Sequence, residues 1–186
     1  MAATIVLLEA HWAELRRQLF DRPNVEGGAF VLCGQVRTGV VVKLLSHRVL
    51  PIAPDEYLRR ERDGLTITSR ALTRIAKLAR QEQLSILFAH SHPAGVCHFS
   101  DQDDREEDRL LPFFQSRLPD RLHGTLVLTE GSVVGRIYRP QRTPTDLILV
   151  VGDRIRVWTT EGVTERSAPI FDRQVRAFGP DIQKML

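Results

Sequence analysis

The stretch Ala89-His90-Ser91-His92-Pro93-Ala94-Gly95-Val96-Cys97-His98-Phe99-Ser100-Asp101-Gln102-Asp103 is the most informative part of this chain. It follows an apolar run, Ile86 to Ala89, that reads as a buried strand. In an extended chain, side chains two apart point the same way, so the imidazoles of His90 and His92 can reach one ion. Imidazole and carboxylate oxygen are ordinary ligands of a catalytic zinc site, which takes three protein ligands and leaves the fourth position to water. Asp103 lies one turn into the following helix, where a loop through Pro93 and Gly95 can fold it back onto the histidines. The same residues also have a plain structural reading. Ser100-x-x-Asp103 is a helix-start signature, with Ser as N-cap and an acid in the first turn. A histidine pair beside a Pro-Gly loop also reads as a polar turn.

Outward from this stretch the chain alternates strands and helices. Thr4 to Leu8 reads as a short strand or the start of a helix. His11 to Phe20 has Trp12, Leu15, Leu19 and Phe20 at helical spacing, ended by Pro23. Ala29 to Cys33 reads as a strand closed by Gly34, and Val40 to Leu50 as a second strand paired with it. Pro51 to Asp63 reads as an irregular charged loop, and Leu65 to Thr68 as a brief strand. Ser69 is placed as the cap of a helix with Leu72, Ile75, Ala76 and Ala79 on one face. Ser100 opens an acidic helix whose apolar side begins only at Leu110. Leu126 to Leu128, Val133 to Tyr138, Leu147 to Val151 and Ile155 to Thr159 read as strands. This order predicts an α+β or α/β domain around one sheet.

Composition sets the remaining bounds. The chain has 186 residues, 42% hydrophobic and 26% charged, which suits one soluble domain with a real core. No apolar run is long enough to span a bilayer, and the N-terminus lacks the basic start of a secretory signal. The net charge of +3 is modest, and stretches such as Leu58 to Gly64 interleave both signs. That argues against nucleic acid and against a membrane as partner. Cys33 and Cys97 form no pair motif, which fits a reducing cytoplasm. Only Lys43, Lys77 and Lys184 are lysines, so arginine carries the basic charge, as in GC-rich bacterial genomes.

His90, His92, Pro93, Ser100 and Asp103 together match the pattern His-x-His-Pro, six residues, Ser-x-x-Asp. In this the chain resembles the JAMM (MPN+/JAB) zinc metalloprotease family of prokaryotic type. Glu26-Gly27-Gly28-Ala29-Phe30-Val31-Leu32-Cys33-Gly34 matches the family's upstream glutamate, placed just before a buried strand that ends in glycine. The resemblance implies an α+β fold of JAB/MPN (cytidine-deaminase-like) architecture over residues 1–160, a curved mixed sheet flanked by helices. It implies one zinc ion per chain on His90, His92 and Asp103. It implies peptidase or isopeptidase chemistry with Glu26 as general base and then acid, and with Ser100 as oxyanion donor. Cys97 is read as loop packing and His98 as solvated. Asp101 and Asp104 are read as complements to the positive end of the helix.

The segment 161–186 is read as a linker and tail. Its Phe171-Asp172-Arg173-Gln174-Val175-Arg176-Ala177-Phe178-Gly179 resembles the opening of ThiF-like adenylyltransferases, the ubiquitin-activating type. The expected partners are therefore a ubiquitin-like protein or its conjugates, and a ThiF-like activating enzyme, fused or in trans. The expected reaction is cleavage after the C-terminal glycine end of the ubiquitin-like protein. The rival readings are release of an amino acid from a sulfur-carrier ubiquitin-like protein, a non-catalytic MPN scaffold, and a RadC-like branch tied to DNA. The complete ligand set argues against the scaffold, and the tail and modest charge argue against the RadC-like branch.

Overall fold

The computed structural model describes residues 2–93, 95–139, 141–159 and the backbone of 162–164. The readings placed on 165–186 lie outside these residues. The first half of the chain forms β1 (Ala2–Leu8), α1 (Glu9–Leu19), β2 (Gly28–Thr38), β3 (Val41–Pro51), β4 (Tyr57–Glu61), β5 (Gly64–Ile67), α2 (Ser69–Glu82) and β6 (Ser85–Ser91). The second half forms α3 (Asp101–Arg117), β7 (His123–Leu128), β8 (Val133–Arg139), β9 (Gln141–Pro144), β10 (Leu147–Val151), β11 (Ile155–Thr159) and β12 (Gly162–Thr164). No described helix is long and apolar enough to cross a membrane.

Ten strands form one mixed sheet in the order β12-β11-β10-β1-β3-β2-β6-β7-β8-β9, and β4 and β5 form a separate hairpin. The fold is α+β, as expected. β1 runs parallel to both β3 and β10, and β6 runs parallel to β7. Segments far apart in the chain meet here, since the Ala3 N–H donates to the Asp146 carboxylate at 2.6 Å. Every residue of β6 and of β7 is buried. Strands that are apolar on both sides need cover on both sides. α1 covers one face with Trp12, Leu15 and Leu19, and Trp12 meets Trp158 of β11 at 5.3 Å between ring centroids. α2 and α3 cover the other face of β2 and β6 with Ile75, Ala79, Leu110 and Phe114, and Phe114 meets Phe30 edge-on.

The structure departs from the sequence reading in several places. β2 does not stop at Gly34 but pairs with β3 as far as Thr38, and the turn is made at Gly39, whose φ of +57° lies in the left-handed region. The residues beyond Gly34 are polar or exposed, so no apolar signal marks them. Thr68, not Ser69, caps α2, its hydroxyl accepting from the Ala71 N–H at 3.2 Å. The charged span 51–63 is not irregular, because β4 pairs with β5 across Glu61 and Gly64. Its ordered charges, such as the ion pairs of Arg59 with Glu61 and Asp63, hide the strand pattern. β9 is a short edge strand with no buried residue to betray it.

One buried group couples the sheet to pH. His123 opens β7 with its side chain wholly buried. The Ile86 N–H donates to its Nδ1 at 3.1 Å, and its Nε2–H donates to the Leu118 carbonyl at 3.3 Å. Burial pushes its pKa down to about 4. Between that value and the ordinary ~6.5, the unfolded chain binds a proton that the folded chain refuses, so stability falls as pH drops through this window. The expected loss from this group is about 3 kcal/mol. Denaturant unfolding near about pH 7.5 and about pH 4.5 checks it. His123→Asn should lose clearly less stability between the two than the parent, and equal losses would place the acid sensitivity elsewhere.

Candidate metal centre

His90 and His92 sit at the end of β6, where Gly28 of β2 and Val127 of β7 flank His90 in register. The His90 ring is 3% exposed and stacks on Phe88, with centroids 5.6 Å apart. His92 lies just past the strand, held by its own N–H, which donates to the Leu128 carbonyl at 2.8 Å. Its Nδ1–H donates to the Val96 carbonyl at 3.0 Å. That bond orients the ring and turns Nε2 toward Asp103. The two Nε2 atoms are 3.2 Å apart.

The loop through Pro93 and Gly95 returns the chain to Ser100, which caps α3. Asp103, in the first turn, places Oδ1 2.9 Å from His90 Nε2 and Oδ2 3.4 Å from His92 Nε2. One ligand atom from each of His90, His92 and Asp103 lies within 4.8 Å of the others. The sequence and the structure therefore bring the same three residues together. Two ring nitrogens and a carboxylate that converge on one point are the donor types zinc takes. Burial opposes ionisation of Asp103, but the hydrogen bonds from both histidines outweigh it and hold its carboxyl well below the usual range. These residues fit a divalent metal ion.

Ser100 is tied to Asp103 both ways. Its hydroxyl donates to Oδ2 at 2.8 Å, its N–H donates to the same oxygen at 2.6 Å, and the Asp103 N–H donates to the Ser100 hydroxyl at 3.2 Å. The helix-start reading of Ser100-x-x-Asp103 holds, and the same Asp103 carboxylate also faces both histidines. The cap is what aims the carboxylate.

Glu26 lies just before β2, with its N–H donating to the Glu61 carbonyl at 2.8 Å and its carbonyl accepting from Arg60 Nε at 2.9 Å. It lines a small cleft of about 40 Å3 together with His90, Ser100, Asp103, Gly64 and Leu65. Burial pushes its carboxyl up to about 7, although His90 and His92 pull it the other way. The β4–β5 hairpin therefore forms a wall of the cleft, a role that its charged sequence did not disclose. Cys97 is half-buried with its thiol toward the Val127 carbonyl, and His98 is exposed. Neither joins the cluster. Asp101 and Asp104 stand in the first turn of α3, as expected of complements to the helix end, and Asp104 also pairs with Arg136 at 2.5 Å.

The residue between the two histidines was missed. Ser91 points away from the metal centre and is wholly buried. Its Oγ accepts from the Gly27 N–H at 2.9 Å and donates to the Leu19 carbonyl at 2.9 Å. Gly27 is crowded against the end of α1, where a Cβ would come within 2.2 Å of the Leu19 carbonyl oxygen. The Glu26-Gly27-Gly28 sequence and the His-x-His sequence are thereby joined through one hydroxyl.

Among known proteins, a family model described as prokaryotic homologs of the JAB domain matches residues 8–140. No curated protein matches the chain.

Ser91→Ala should leave two buried backbone groups without partners, and each such group costs about 1–3 kcal/mol. Gly27→Ala should destabilise at least as much, because backbone must move. Thermal melting measures both, and an unchanged midpoint for Ser91→Ala would show that the tie between the two segments carries no weight.

Proposed function

The chain belongs to the family of prokaryotic JAB-domain homologs, and on that premise we propose that it is a zinc-dependent peptidase or isopeptidase acting on the glycine end of a ubiquitin-like protein. The observation that carries this reading is the convergence of His90, His92 and Asp103 beside the buried carboxylate of Glu26. Zinc bound there would acidify a water molecule toward a pKa of ~7 and polarise the carbonyl to be attacked.

The rest is the work of the chain's own groups. Glu26, with a carboxyl poised at about 7, takes a proton from water and returns it to the leaving amine. Ser100 lines the same cleft, so its hydroxyl can turn from Asp103 to the oxygen that gains negative charge. The Val96 carbonyl, 3.0 Å from His92 Nδ1, orients that ring. The cleft is small, with Gly64 and Leu65 lining it beside His90 and Asp103. A chain end without side chains suits so narrow a passage, which supports a Gly-Gly terminus as substrate. The resemblance of the 161–186 segment supports a ThiF-like activating enzyme as partner.

Two tests follow. Purified protein should hold about one zinc per chain, and His92→Ala or Asp103→Ala should lose it, since only two ligands remain. Full occupancy in His92→Ala would overturn the ligand set. Glu26→Gln should keep the metal while hydrolysis of a Gly-Gly peptide amide of a fluorogenic amine falls by roughly 10²- to 10⁴-fold. Near-normal turnover would assign the base to another residue.

Ser100→Ala separates two roles. Loss of the cap should cost about 1 kcal/mol of stability. A role at the oxyanion should lower kcat more than it raises KM. Lower stability with unchanged turnover would make Ser100 structural.

A further inference from the structure

The first half of α3 has nothing apolar to hold it. Over Asp101 to Arg109 the only buried side chain is Glu107, and the helix's apolar contacts begin at Leu110. Yet this half carries Asp103, and its cap is Ser100. Something other than hydrophobic packing must fix its position against the sheet.

That role falls to two arginines from the far edge of the sheet. Arg136 of β8 grips Glu107 with Nε, at 3.0 and 2.8 Å from the two carboxylate oxygens, while its Nη2 reaches Asp104 at 2.5 Å. Its guanidinium also lies over the Phe99 ring, 3.8 Å from the centroid. Arg142 of β9 adds Glu107 at 3.2 Å, and it also holds Asp108 and the Asp104 carbonyl. From β7, the Thr125 hydroxyl donates to Glu107 at 2.5 Å. Arg136 thus holds the chain on both sides of the site: Phe99 just before Ser100, and Asp104 and Glu107 just after Asp103. Glu107 is 3% exposed and borders the cleft with Asp103 and His90.

We propose that Arg136 is a positioning residue, which sets the place of Asp103 and Ser100 by clamping Phe99, Asp104 and Glu107 to the β8 edge of the sheet. A buried ion cluster is weak evidence for stability, because desolvation offsets much of the attraction. What a forked guanidinium supplies is direction, since its donors meet a carboxylate in only a few geometries. Outer partners of metal ligands act in this way, orienting groups that they do not join.

The inference rests on the proposed zinc site, and its test separates the two. Zinc affinity is measured by competition with a chelator, ligand geometry by the visible spectrum of the cobalt-substituted protein, and stability by thermal melting. Arg136→Met should weaken zinc binding by roughly 10- to 100-fold and alter the cobalt bands. Arg136→Lys should fall between Arg136→Met and the parent, since it keeps the charge and loses the fork. Arg74→Met is the control, because Arg74 pairs with another buried carboxylate, Glu56, at 2.7 Å. It should lower the melting point and leave both metal readouts unchanged.

If Arg136→Met does not fold, Glu107→Gln carries the same test, since it keeps the volume and the Thr125 bond. Zinc affinity and cobalt spectrum within about twofold of the parent in the folded variant would overturn the proposal. A parent protein that binds no zinc would instead overturn the reading of the site itself.

Discussion

One hydroxyl joins the parts of this molecule that bring His90, His92 and Glu26 to one place. Ser91 Oγ accepts from Gly27 and donates to Leu19, so the end of α1, the entry to β2 and the end of β6 meet at one atom. Alternation along β6 then sends His90 and His92 to the opposite side. Gly27 must be small for the contact to close, and Glu26 is carried to the cleft as a result. The place of Glu26 relative to His90 and His92 is thereby set by a buried contact that faces away from them.

The centre itself was legible because its residues are close in sequence and lie on a strand, a turn and a helix start. Each of those has a local signature. The mixed sheet was legible for the same reason wherever strands were apolar, as in β6, β10 and β11. What escaped was of another kind. β4 and β9 are exposed strands, and their charged residues carry no alternation to read. Ser91 and Gly27 look ordinary until the strands are placed side by side. Arg136 and Arg142 lie far along the chain from Asp103, and nothing local tells an arginine that crosses to a helix from one that faces solvent. The Arg136 partner of Asp104 escaped in the same way. A carboxylate in a first helical turn has a sufficient local explanation, and only the neighbouring strand supplies the stronger partner.

The two halves of α3 show two ways of holding a helix. Leu110, Leu111 and Phe114 bury a face, a contact that tolerates small shifts. The acidic half is held by directional bonds that do not. A ligand carboxylate tolerates little displacement, so the division of labour along one helix follows the demands of its residues. Ser100 repeats the pattern on a smaller scale, since the bonds that begin the helix also orient Asp103.

The place of β1 bears on how the molecule comes to be. It lies between β3 and β10, and the Ala3 N–H meets Asp146 across 143 residues of chain. A ribosome adding roughly 5–20 residues per second needs on the order of 10 to 30 s to make that interval. Throughout it, one hydrogen-bonding edge of β1 and the apolar side chains of Ile5 and Leu7 stand without their later neighbours from β10. During synthesis, β1 therefore keeps one edge unpaired until β10 arrives.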